Sequence, residues 1–146
     1  MVFEKVAYET LNPRQREIFN FQWISAALAT YGFSTQRITD DWKGADFIAR
    51  HMQTPDLEIR VQLKSRIHFA KMYRNKNIWI AFRLVDKAYV YPHDEVLEQY
   101  LKINPMESNL AWEGDDGAVH SRSPSKAQLE LLRPYEIDGC FSTGSE

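Results

Sequence analysis

Leu57-Glu58-Ile59-Arg60-Val61-Gln62-Leu63-Lys64 alternates without a break. Ile59, Val61 and Leu63 fall on one side and Glu58, Arg60, Gln62 and Lys64 on the other, the period of two of a half-buried strand. Gln62 and Lys64 therefore share a face. Upstream, Gly44 ends a polar connection and leads into Ala45-Asp46-Phe47-Ile48-Ala49, a short apolar strand with one acid inside it. The intervening turn, 50–56, contains Pro55. A hairpin through it brings Asp46 alongside Gln62 and Lys64.

An acid inside an apolar strand must find a partner or a cation, because an unpaired buried carboxylate is costly. The carboxylate of Asp46 is a hard oxygen ligand suited to Mg²⁺. The amide oxygen of Gln62 and the backbone carbonyl of Leu63 can supply two more oxygens. Lys64 then stands where it orients a water and stabilises charge on phosphoryl oxygens. The alternative for Asp46 is a carboxylate satisfied by backbone amides or by Lys64. Asp40 and Asp41 compete for its role, but they lie in a polar connection whose turn they can simply cap.

An Asp-bearing strand followed by a Gln-x-Lys strand resembles the PD-(D/E)XK nuclease superfamily, in the variant where Gln replaces the second acid. The order helix, strand, Asp strand, Gln-x-Lys strand, further strand and helix matches as well, over about residues 12 to 101. The resemblance implies a restriction-endonuclease-like α/β (α+β) fold. It has an αββαβ-type core whose central mixed sheet is flanked by helices. It also implies a Mg²⁺-dependent endodeoxyribonuclease, with Mn²⁺ as a substitute, that hydrolyses DNA phosphodiester bonds. Asp46, Gln62, Lys64 and Glu17 would be its catalytic residues. Asp46, Gln62, Leu63 and Glu17 would hold the metal. Glu17 enters because the family's first helix often presents an acid to the metal. The other account is a first-turn acid favoured by the helix dipole. With Gln62 neutral, the site has one carboxylate fewer than usual, and weak metal affinity is expected before DNA binds.

Charge supports an anionic partner. The formal net charge is −2, yet no acid occurs between Ile59 and Val85, where seven of the 18 Lys and Arg residues lie. Such segregation suggests that one side of the molecule meets phosphate. Arg60, Arg66, His68, Lys71, Arg74 and Lys76 are the candidate nucleic-acid contacts, while the interleaved Phe69 and Tyr73 are read as belonging to the core.

The rest of the chain reads as one domain of 146 residues, long enough for a real core. Asn12-Pro13-Arg14-Gln15 starts a helix as a capping box. The helix runs to about Tyr31, with Gly32 as its stop. Its apolar stripe is Ile18, Phe21, Trp23, Ile24, Ala27, Leu28 and Tyr31. Residues 1–11 either pack on that helix or form a loose arm. Strands follow at 33–38, 77–83 and 87–91, the last two joined across Val85-Asp86. A helix begins at Pro92, and His93 reads as a surface residue at its start. Residues 102–146 form a C-terminal extension. Its acidic turn-like stretch Glu113-Gly114-Asp115-Asp116-Gly117 is read as a hairpin tip. A final helix is capped by Ser125 and Gln128, and the end is expected to fray.

The single cysteine, Cys140, excludes an internal disulfide framework, and the four histidines lack zinc-ligand spacing. No stretch has membrane-span length or signal-peptide shape, so a cytoplasmic location without membrane partners is expected. One active site per chain cuts both strands of a duplex only in a homodimer or higher homo-oligomer. Two other classes fit the sequence. One is a nucleic-acid-binding module of the same fold without catalysis, and the other is a protein-interaction subunit.

Overall fold

The computed structural model describes residues 1–39, 44–103, 117–121 and 123–139. The connection with Asp40 and Asp41, the acidic stretch 113–116 and the terminus with Cys140 lie outside the described residues.

The chain is first fixed at a 3-10 turn, Tyr8–Thr10, which leads into helix α1, Pro13–Thr30. Both halves of the capping box are present. The Asn12 side chain accepts from the Gln15 amide at 2.9 Å, and the Gln15 side chain accepts from the Asn12 amide at 3.0 Å. Gly32 ends the helix at φ +90°, where a Cβ would stand 2.5 Å from His51 Nε2, so glycine is required on two counts. The buried face of α1 is Asn20, Ile24, Ala27 and Leu28. Ile18 and Tyr31, expected in the apolar stripe, lie exposed because the face turned to the sheet is narrower than the apolar sector.

Strands β1 (Phe33–Arg37), β2 (Phe47–His51), β3 (Glu58–Leu63), β5 (Ile78–Leu84), β6 (Lys87–Pro92) and β8 (Glu136–Asp138) form a mixed sheet in the order β1-β2-β3-β5-β6-β8. All pairs are antiparallel except β3 and β5, which run parallel. The fold is therefore mixed α/β. A parallel pair needs a crossover of a dozen or more residues, and the segment 64–77 supplies it.

An αββαβ core would place a helix before the last strand. The crossover here holds instead strand β4, Ile67–Ala70, and a 3-10 turn, Lys71–Tyr73. The cause is local: Ile67 and Phe69 are buried at a spacing of two, which suits a strand. β4 pairs antiparallel with β7, Ala118–Ser121, as a separate two-stranded sheet.

Helix α1 covers one face of the large sheet, where Ile24, Ala27 and Leu28 meet Phe47, Ala49, Val61 and Leu63. Phe47 and Val61 face each other in register and are both fully buried. Each contributes on the order of 1.5–3 kcal/mol by burial. On the other face Ile78, Ile80, Phe82 and Tyr91 pack against three groups. These are Phe69 and Tyr73 of the crossover, Val96, Leu97 and Tyr100 of α2 (His93–Ile103), and Leu132 of α3 (Lys126–Leu132). Among the described residues no helix is long and apolar enough to cross a membrane.

Candidate active site

The β2–β3 hairpin ties Asp46 to the middle of the Gln-x-Lys triplet. The Leu63 amide donates to Asp46 Oδ2 at 2.8 Å, while the Asp46 amide donates to the Val61 carbonyl at 2.8 Å. The Asp46 carbonyl accepts from the Ile38 amide at 2.9 Å, so the end of β1 holds the residue from the other side. In an extended strand the N–H and C=O of one residue point to the same edge. The Leu63 carbonyl therefore leaves β3 on the side of Asp46.

Asp46 is half-buried, and burial is the main reason its carboxyl titrates above the ordinary carboxylate range. The Leu63 amide opposes that shift, Glu17 adds to it, and Lys64 and Arg37 oppose it. The side-chain oxygen Oε1 of Gln62 is buried and has no hydrogen-bond partner. The Asp46 carboxylate, the Leu63 carbonyl on the strand edge facing it and the orphaned Gln62 amide oxygen one residue along β3 are all oxygen donors. Such a set suits a hard divalent cation. Among the described residues no three His, Cys, Asp or Glu side chains converge on a common point, so a cation here would lean on neutral oxygens beside Asp46.

Lys64 follows β3 directly, fixed by its amide donating to the Ala81 carbonyl at 2.8 Å. Its Nζ stands 5.3 Å from the centre of the Tyr73 ring. Glu17 is held by Arg37, whose Nη2 donates to Oε1 at 2.7 Å. Glu17 and Lys64 line the same cleft, of about 680 Å³, together with Tyr8, Arg16, Asn20 and Arg66. Asp46 and Gln62 are not among its lining residues, although the field of Glu17 reaches Asp46.

The basic residues separate into two groups towards opposite ends of β3; Arg60 and Lys64 are four residues apart along the strand, on the order of 13 Å. Arg60 donates from Nη2 to the Lys76 carbonyl at 2.6 Å, near exposed Arg74. At the other end Arg66 Nη1 lies 3.3 Å from His120 Nδ1. His120 in turn stacks on His68, with ring centres 6.0 Å apart and planes 3° from parallel. His68 titrates far below an ordinary imidazole, at about 4, chiefly through burial and then through Lys64, His120, His93 and Arg66. Lys71 follows β4 directly and is half-buried.

Arg83 belongs to neither group. It lies on the α1 side of the sheet, donating to Asn20 Oδ1 at 2.9 Å beneath the rings of Tyr8 and Phe19.

His93 is not the surface residue expected at a helix start. It is fully buried, and its Nε2 accepts from the Ala70 amide at 3.0 Å. The ring proton therefore sits on Nδ1, which donates to Asp94 Oδ1 at 2.9 Å.

Tyr8, Arg16 and His120 were not legible as site residues. Tyr8 lies in a stretch without periodic pattern, and nothing local sets Arg16 apart from the other polar residues that open α1. His120 joins His68 only through the β4–β7 register. The chain matches no family model, no curated protein and no solved structure.

Proposed function

We propose that the protein is a Mg²⁺-dependent DNA endonuclease with a restriction-endonuclease-like core, using Asp46, Gln62 and Lys64. The observation that carries the reading is two oxygen groups held at a cost, the Asp46 carboxylate with the Leu63 amide as its donor and the Gln62 amide oxygen with none. Asp46 keeps a carboxylate in a desolvating site, and Gln62 buries an amide oxygen with nothing to accept from. Groups left so are expensive unless a ligand completes them. Asp46, Gln62 and the Leu63 carbonyl would hold the cation, and Glu17 would join through water once Arg37 yields. A divalent cation held there would supply Lewis-acid polarisation of the scissile phosphoryl group and a more acidic water. Lys64 donates to a phosphoryl oxygen and orients the attacking water, held in place by its own amide on β5. Gln62, being neutral, leaves the empty site less repulsive than two acids would, so the scissile phosphate helps to assemble it. Cleavage of both strands of a duplex requires two copies of the chain, and a homodimer would supply them.

Incubating plasmid and branched DNA with Mg²⁺ or Mn²⁺ tests this reading. Lys64→Ala is expected to reduce cleavage by at least about 10²-fold. Cleavage at full rate in that variant removes Lys64 from the mechanism.

A nucleic-acid-binding module without catalysis is the second reading. It is favoured by the neutral Gln62 and by the ion pair that occupies Glu17. DNA binding without metal-dependent cleavage of any of these substrates would select it.

A further inference from the structure

We propose that the cleft between α1 and residues 64–66 seats a single strand of nucleic acid, with Arg16 and Arg66 gripping its phosphates. The preferred substrate would then present an unpaired strand to Lys64. The inference rests on reading the protein as a nucleic-acid enzyme, and it adds which form of DNA it takes.

Size comes first. The cleft holds about 680 Å³, within the range of about 300–1,000 Å³ in which small ligands are bound. A stacked nucleotide or two fits that space. A B-form duplex keeps its bases paired inside the stack and offers such a cleft only its backbone.

Charge comes second. Three cations, Arg16, Lys64 and Arg66, line the cleft, and the one acid among its lining residues, Glu17, is ion-paired to Arg37. Tyr8, Pro13 and Leu63 add apolar wall for sugar or base.

The third observation points to a ligand directly. Arg16 is anchored through Nη2, which donates to the Glu9 carbonyl at 2.8 Å, and its guanidinium lies 5.4 Å from the centre of the Tyr8 ring. Its Nε is buried without a hydrogen-bond partner. A phosphate oxygen in the cleft would satisfy that donor once the guanidinium turns towards it, in the charge-assisted geometry arginine favours. Tyr8 is itself fixed, since its hydroxyl accepts from Asn20 Nδ2 at 3.0 Å.

Fluorescence anisotropy of a labelled short single-stranded oligonucleotide, titrated with the full chain in EDTA, reads binding without cleavage. Arg16→Gln and Arg66→Gln are each expected to weaken binding by about 5–10-fold. Each is also expected to flatten the plot of log K against log salt by about 0.7 for every phosphate no longer neutralised. A duplex of the same sequence is expected to compete at least about tenfold more weakly. Unchanged affinity and slope in both variants, or a duplex that competes as well as the single strand, overturns the proposal. Because Arg16 also braces Glu9, melting curves accompany each variant, and Arg66→Gln decides the matter if Arg16→Gln melts early. Binding that behaves as expected while no DNA is cut in Mg²⁺ would sink hydrolysis and leave the cleft standing. Cleavage with both variants binding normally would do the reverse.

Discussion

At the scale of single residues, the desolvated carboxylate of Asp46 works against stability. Its pKa in the fold lies above that of the unfolded chain. A carboxyl raised in this way favours the fold below its unfolded pKa, and that contribution is lost as pH rises through the folded value. At neutral pH the charged form is therefore a liability. Asp46→Asn keeps an oxygen able to accept from the Leu63 amide and removes the charge. The variant is expected to melt at a higher temperature than the parent at pH 7 while losing metal-dependent cleavage. Calorimetry and a cleavage assay on the same preparation check both halves. A lower melting temperature would show that the fold relies on the ionised carboxylate.

At the scale of elements, the β5–β6 hairpin turns across Val85 and Asp86, and Val85 takes φ +58°. A β-branched residue in the left-handed region is unusual, since that conformation costs an L-residue roughly 1–2 kcal/mol. The side chain is 77% exposed, so little burial offsets that cost. Glycine at this first turn position suits a two-residue hairpin, though its greater freedom in the unfolded chain offsets part of the gain. Val85→Gly is expected to stabilise the protein by about 0.5–1 kcal/mol, which is roughly 2–4 °C in Tm. Thermal denaturation of the pair measures it, and a fall in Tm would mean that packing by the valine side chain outweighs the backbone strain.

For the whole molecule, a pH effect below neutrality comes from two histidines kept neutral by the fold. His68 titrates at about 4, and His93 lies below its ordinary value because burial outweighs the hydrogen bond to Asp94. In the unfolded chain both protonate near 6.5. Between that value and the folded ones the unfolded state binds more protons, so stability rises with pH across the window and is lost on acidification. Asp46 works in the opposite direction, but singly. The melting temperature is therefore expected to fall as pH drops from about 6.5 towards 4, with a shallower fall in His68→Gln. Melting curves at constant ionic strength across that range check it, and a flat profile would show that neither imidazole is neutral in the fold.

How much could be read beforehand depends on the reach of each interaction. The strand β3, both capping boxes, the Gly32 stop and the β5–β6 hairpin were legible, because alternation, caps and turns are encoded within a few neighbouring residues. The pairing of β2 with β3, which ties Asp46 to Leu63, was legible for the same reason: a short hairpin permits few registers. Other features depend on partners far away in the chain. Arg37 claims Glu17 across 20 positions, Arg66 meets His120 across 54, and Arg83 reaches Asn20 across 63. The burial of His93 and the cleft beside Lys64 are of this kind too. Sequence by itself determined the elements and the local hairpin, since local hydrogen bonding and hydrophobic period settle them. Only the tertiary structure decided which charges are paired and which face open space, because that follows from how layers pack and not from any pattern along the chain.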